Sequence, residues 1–402
     1  MASTTDGPNR FAMVVTEQAL NSVVNFVVGL AIAKVYGLTL FGTFVFAITT
    51  SFLLGSLITS LTYTVATVDT ARIHVSRASY ISHMESLSLL IAILTAFFLV
   101  AVFIFIAPPH TIFEYFTFTY ASFLGIFESV RRFGYLKPLA GYAVWVSTVR
   151  MLLTLPAMAL GMSGQVDTML ILLLGQLVTG TVYAIVRIEW PRRLRPVYFF
   201  RAIRHGAPLV LSVVLTSGFE QLIVLLGARD LGISIVGGWR AASYLFGLLA
   251  PFLISLDALL PRVLRSRFGA AMRLPLPQLL LLGLTVSCIC LVISGITVGL
   301  YLPYLGNGFQ RYEATAYLYA LVYAAISIKL VISVALRRES TRHLATANLL
   351  GAAFGLVTYL VHPVDPIVLL AFSICTSHLI SLIAMGLIAL RIGRNTAAST
   401  RI

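Results

Sequence analysis

The chain has 402 residues, 59% hydrophobic and 10% charged, with a mean hydropathy of +0.96 and a formal net charge of +14. That is more apolar surface than a soluble core of this length hides, which excludes a water-soluble enzyme or binding module and points to an integral membrane protein.

A bilayer core of about 30 Å takes roughly 20 apolar residues per helical crossing. With Gly, Pro and charge as punctuation, the sequence predicts twelve spans: 11–33, 41–66, 85–107, 112–130, 139–161, 167–187, 207–229, 233–258, 278–301, 314–336, 343–361 and 366–391. The opening MASTTDGPNR lacks the basic region and short apolar stretch of a cleaved signal, so the first span is expected to remain as the first helix. Cys288 and Cys290 share one predicted helix and Cys375 lies in another, so neither a disulfide framework nor a metal site is expected. Pro156, Pro251 and Pro208 are placed to bend spans five, eight and the start of seven.

A charge of +14 raises the question of nucleic acid, and the distribution of the charge answers it. Of 28 Lys and Arg, 22 fall at the N-terminus, in the loops after even-numbered spans and at the C-terminus; the odd-numbered loops hold three, Lys34, Arg229 and Arg311. This is the positive-inside pattern, which puts both termini in the cytoplasm and leaves no surplus for a nucleic-acid partner. The densest run, WPRRLRPVYFFRAIRHG from Trp190, is expected to be an interfacial linker at 190–206, with Arg facing anionic headgroups and Trp190, Tyr198, Phe199 and Phe200 at the boundary. It divides the chain into a six-helix lobe at 1–189 and a second at 207–402.

The lobes share a sequence echo. AKVYGLTLFG at 33–42 returns as ARDLGISIVG at 228–237, and a gapless alignment of 33–61 with 228–256 pairs Gly37 with Gly232, Gly42 with Gly237, Ala33 with Ala228, Ala47 with Ala242 and Ser60 with Ser255. Tight helical hairpins favour Gly at such a turn, so convergence is one explanation. Duplication of a six-helix unit is the other, and it is preferred because the match falls on the first turn of each lobe. Six crossings separate the copies, so the fold class expected is all-α and membrane-integral, with about twelve transmembrane helices in two parallel six-helix repeats. Such repeats are related by an axis along the membrane normal, with a binding site between them near the midplane. This architecture implies a transporter.

The first hairpin, TEQALNSVVNFVVGLAIAKVYGLTLFGTFVFA, and the eighth span, GGWRAASYLFGLLAPFLISLDALLPRV, resemble bacterial polysaccharide-biosynthesis flippases of the multidrug/oligosaccharidyl-lipid/polysaccharide exporter superfamily. The resemblance implies a two-lobed flippase of the bacterial inner membrane for polyprenyl-diphosphate-linked oligosaccharides, functioning as a monomer among membrane lipids without a cofactor.

Ionisable residues inside spans are costly, so each needs a partner or a task. On span one, Glu17, Asn21 and Asn25 recur at i, i+4 and i+8, with Gln18 and Ser22 beside them; span seven carries Ser212, Thr216 and Glu220 at the same spacing. These stripes read as cavity linings, with helix–helix hydrogen bonding as the plain alternative. Arg150, at the centre of span five, is about 16 Å from either end and is the first candidate for gripping a diphosphate through its planar fork; a structural salt bridge, with Glu17 as a facing carboxylate, is the competing role. Arg240 and Lys329 follow, and Glu220 and Arg240 are expected at similar depth, as a pair or as ligands. Glu17 and Glu220 are candidates for coupling to H⁺ or Na⁺. Glu128 and Asp257, near cytoplasmic span ends, read as boundary or gate residues.

No GxxxxGK[ST], Gly-x-Ser-x-Gly or paired Cys/His spacing occurs, so no nucleotide motor or hydrolase is expected. The leading reading is an alternating-access flippase. A multidrug or cation antiporter of the same superfamily is the alternative; residues 11–36 lack the proline that often bends the first helix of that branch, and Arg150 suits a cationic drug poorly. A membrane polymerase or glycosyltransferase comes third, because the longest extracytoplasmic loop, LPYLGNGFQRYEATA, is short for a catalytic loop.

Overall fold

A computed structural model describes residues 7–69, 77–106, 111–137, 140–191, 195–249, 276–339, 341–361 and 364–399. Asp257, Pro251 and the basic residues expected at 262–273 lie outside them. The described residues are helical nearly throughout, as long apolar segments must be when lipid offers their backbone no hydrogen-bond partner.

Helix α1 (Gly7–Leu61) has 55 residues, about 80 Å if straight and far more than a bilayer core. It is not straight: Gly37 has φ 71° and ψ −171°, a conformation almost confined to glycine, so the segments 7–36 and 38–61 are separate arms. After α2 (Tyr63–Asp69) come α3 (Arg77–Ile106), α4 (Ile112–Arg131), a 3₁₀ turn (Arg132–Tyr135), α5 (Ala140–Met162), α6 (Val166–Val186) and α7 (Pro196–Val213). Helix α4 starts on a capping box in which Thr111 and Glu114 each bond the other's backbone N–H, a signal already present in the sequence TIFE.

A π-helical turn (Val214–Gly218) leads into α8 (Phe219–Asp230), followed by α9 (Ile233–Tyr244), a 3₁₀ turn (Leu245–Leu249), α10 (Leu276–Ile296), a second π turn (Thr297–Tyr301), and the short α11 (Leu302–Leu305) and α12 (Asn307–Gln310). Three long helices close the chain: α13 (Glu313–Glu339), α14 (Thr341–Val361) and α15 (Pro366–Ser399). Among the described residues, seven helices are long and apolar enough to cross a membrane, with the two arms of α1 counted as one.

The chain divides into two units, Met1–Val214 and Leu215–Ile402. In the first, α1 packs on α4 and α5, α5 on α6, and α3 on α4. In the second, α15 packs on α13 and α14, and α10 on α13. The segment expected to be a linker is helical from Pro196 onward, because proline at the first helical position fits the turn without sacrificing a hydrogen bond. Helix α7 lays Ala202 and Tyr198 against Tyr80 and His83 of the first unit, while Val197, Phe199, Phe200 and Ile203 stay exposed. An apolar aromatic face beside basic residues suits the headgroup boundary.

The two turns singled out by the echo share a backbone state. Gly232, at φ 100° and ψ 151°, occupies the same glycine-favoring region as Gly37. Beyond each turn an aromatic side chain packs on a tyrosine: Phe44 on Tyr120 of α4 in the first unit, and Trp239 on Tyr319 of α13 in the second.

Candidate functional site

The polar residues of the first unit converge in one enclosed lattice. The first arm of α1 contributes Glu17, Gln18 and Asn21, α4 Tyr120, Glu128 and Arg131, α5 Ser147 and Arg150, and α6 Gln176. Arg131 Nη1 donates to Glu17 Oε1 at 2.6 Å and its Nη2 to Glu128 Oε2 at 2.6 Å, the ion-paired side chains of Arg131 and Glu17 being 4% and 0% exposed. Ser147 and Tyr135 also donate to Glu17, and Gln18 donates to Tyr135.

Asn21 extends the lattice. Its Nδ2 donates to Glu128 Oε1 at 2.9 Å and its Oδ1 accepts from Arg150 Nη1 at 2.5 Å. Arg150 is 1% exposed. Its Nε donates to Gln176 Oε1 at 2.7 Å, its Cζ stands 4.4 Å from the centroid of the Phe127 ring, and its Nη2 has no partner. Gly180 of α6 makes this placement possible, since a Cβ there would sit 3.0 Å from Arg150 Cδ. Two carboxylates thus face two guanidiniums, joined by amides, in a region closed to solvent.

Arg131 is the residue that sequence reasoning missed. It was assigned to a cytoplasmic loop, but α4 runs through it and buries its head between two carboxylates. The signal was available in Glu128, three residues before Arg131 and on the same helical face. Lys137, also assigned to that loop, is held by Glu85 of α3 at 2.5 Å.

The second unit is arranged differently. Glu220 opens α8, directly after the π turn that contains Thr216, and accepts at Oε1 from His378 Nε2 of α15 at 3.0 Å. Of the two roles open to Arg240, as a pair with Glu220 or as a ligand, no direct pair forms: its Cζ stands 6.0 Å from the centroid of Trp239 and 5.6 Å from that of Tyr244. Arg240 and Lys329 lie within electrostatic reach of Glu220, yet neither side chain forms an ion pair or hydrogen bond among the described residues, and both are half-buried. Asn25 is half-buried in the first unit.

His378 carried no sequence signal beyond being a lone histidine in an apolar span. The packing that delivers it did: Gly351 and Gly355, four apart on α14, let α15 approach until a Cβ on Gly351 would collide with Ser377 O, and one on Gly355 would lie 2.8 Å from Ser373 O and 2.5 Å from Phe219 Cζ. The residues following Ser377 and Phe219 are His378 and Glu220.

No family model matches the sequence, and no curated protein does. Solved structures do match. The lipid II flippase MurJ, in an inward closed conformation, aligns with a TM-score of 0.64 and 14% identity over 93% of this chain and 86% of that one. The eukaryotic MATE transporter AtDTX14 gives 0.67 and 13% identity, covering 95% of each chain. An inward-facing multidrug resistance MATE family transporter of the MOP superfamily gives 0.52 and 11%, covering 98% of this chain and 95% of that one. Identities this low show a shared fold. With its long apolar helices, the chain is a multi-pass membrane protein whose fold is that of flippases and multidrug transporters; the polysaccharide branch named by the sequence resemblance is not among these three.

Proposed function

We propose that the protein flips a polyprenyl-diphosphate-linked oligosaccharide from the cytoplasmic to the outer leaflet of a bacterial inner membrane, by alternating access, with both termini cytoplasmic. The observation that carries this reading is the pair of cations without a contacting counter-ion among the described residues, Arg240 and Lys329, inside a unit built of apolar helices. A cation at membrane depth is expensive unless it faces water or an anion, and a guanidinium backed by aromatic rings presents a planar fork to phosphate oxygens. Asn25 is assigned to the sugar and Glu220 to coupling with an ion gradient; Glu17, also a candidate for coupling by sequence, is enclosed with Arg131 and belongs to the framework in this reading. Arg150, enclosed by Asn21, Gln176 and Phe127, holds the first unit together in this reading.

The test is export of lipid-linked repeat units by variants at matched membrane abundance. Arg240→Ala and Lys329→Ala are expected to accumulate these units on the cytoplasmic leaflet, and Arg240→Lys to be impaired because an ammonium lacks the fork. Arg150→Ala is expected to export normally once abundance is matched, and its failure would return Arg150 to the substrate site. Extrusion of organic cations with unchanged handling of lipid-linked sugars would favour the multidrug reading.

A further inference from the structure

We infer that Glu220 and His378 form a single proton-binding site whose occupancy sets the anion affinity of Arg240 and Lys329, an inference that rests on the transport reading above for its coupling arm. The pair spans a gradient of accessibility. His378 is 8% exposed at its side chain and Glu220 39%, so the carboxylate is the more accessible end of the pair, 3.0 Å from the ring. Nδ1 of His378 is buried and has no partner among the described residues.

That orphan nitrogen weighs against a second proton on the ring. With Nε2–H donating to the carboxylate, Nδ1 is a bare acceptor, which buries cheaply. A proton on Nδ1 would create a buried, unsatisfied N–H, at a cost of about 1–3 kcal/mol. The incoming proton is placed on the more exposed carboxylate of Glu220, converting COO⁻ to COOH, while the Nε2–H bond stays in place.

The surroundings give that proton a consequence. Facing the pair are Arg240 from α9, Lys329, Tyr319 and Tyr323 from α13, and the Gly351 and Gly355 face of α14. Along α15 the next polar group is Ser381, bonded to Asn348 at 2.8 Å. Arg229, Asp230 and Tyr359 gather at the other end of α8, about 15 Å away. With Glu220 ionised, two basic side chains share the field of one carboxylate; with Glu220 protonated, both are free of it. The carboxylate competes with an external anion for the same two side chains, so protonation strengthens anion binding and, by linkage, a bound anion holds the proton.

The proton site is tested on the full chain in lipid nanodiscs, without substrate, by infrared titration from about pH 7 to about pH 3, through and below the ordinary carboxylate value. A carboxylic-acid C=O component should appear as pH falls, vanish in Glu220→Gln and shift in frequency in His378→Asn. If no pH-dependent component is lost in Glu220→Gln, or if it is unmoved by His378→Asn, the site is overturned. Coupling is read with sulfate, whose double charge stays constant over this range. Affinity should be about 5- to 150-fold tighter at the acid end and nearly pH-independent in Glu220→Gln. Equal wild-type affinity at both ends overturns the coupling. Sulfate binding that survives Arg240→Ala and Lys329→Ala together sinks the anion placement, and with it the reading above, while the infrared component still decides the proton site.

Discussion

The two units use intramembrane charge in opposite ways. In the first, Arg131 is shared between Glu17 and Glu128, and Arg150 is held by two amides and an aromatic face, so both carboxylates and most of the guanidinium donors are bonded inside the unit, Arg131 Nε and Arg150 Nη2 being left over. In the second, one carboxylate meets a histidine, and two cations have no direct partner among the described residues. Both arrangements meet the rule that charge in a bilayer needs compensation, but they meet it on different terms. A closed lattice compensates charge permanently and makes a framework; an incomplete one leaves room for a ligand. Depth in the membrane alone, by which Arg150 ranks first, does not tell these two arrangements apart; whether the charge already meets a partner inside its own unit does.

The largest test of this contrast is at Arg131. Arg131→Ala leaves two buried carboxylates without their cation and is expected to cost about 3–5 kcal/mol, seen as a fall in unfolding midpoint in detergent and in membrane abundance. Combining Arg131→Met with Glu17→Gln and Glu128→Gln removes all three charges and should recover most of that loss. A single alanine variant as stable as wild type would break the distinction between the units.

Next come the turns, where the units should behave alike. Gly37→Ala and Gly232→Ala each force a side chain into a glycine-favoring region, at about 1–3 kcal/mol, with no nearby atom to clash with at either position. Similar losses of thermal stability would confine the contrast to the polar interior. A loss at one glycine alone would argue against a common turn.

The smallest effect belongs to the second unit's cations. Arg240→Ala forfeits its aromatic contacts and is expected to lower stability by no more than about 1 kcal/mol, with Lys329→Ala lower still, measured by the same unfolding assay. If either variant loses as much as Arg131→Ala, these residues are framework too.

How much of this was legible in the sequence follows from what each feature depends on. The long apolar helices and the Gly37 and Gly232 turns were visible because hydropathy and glycine's backbone freedom are local properties, while the count of twelve spans stands against seven qualifying helices among the described residues. The face of Glu17 and Asn21 was visible because helical periodicity is local as well. What those residues face was not, since Arg131 lies 114 positions from Glu17 and His378 lies 158 from Glu220. Charge counting places Arg131 and Lys137 in the connection after the fourth span, and only the partner helices reveal that each is neutralised, by Glu17 and Glu128 and by Glu85.

The same separation along the chain has a consequence for biogenesis. Glu17 leaves the ribosome 114 residues before its cation. At about 5–20 residues per second, that is a wait of roughly 6 to 23 s. During this interval the nascent α1 carries a carboxylate without its counter-charge, so its release into lipid is costly until α4 arrives. Helix α1 is therefore expected to stay at the insertion machinery until Arg131 has been made.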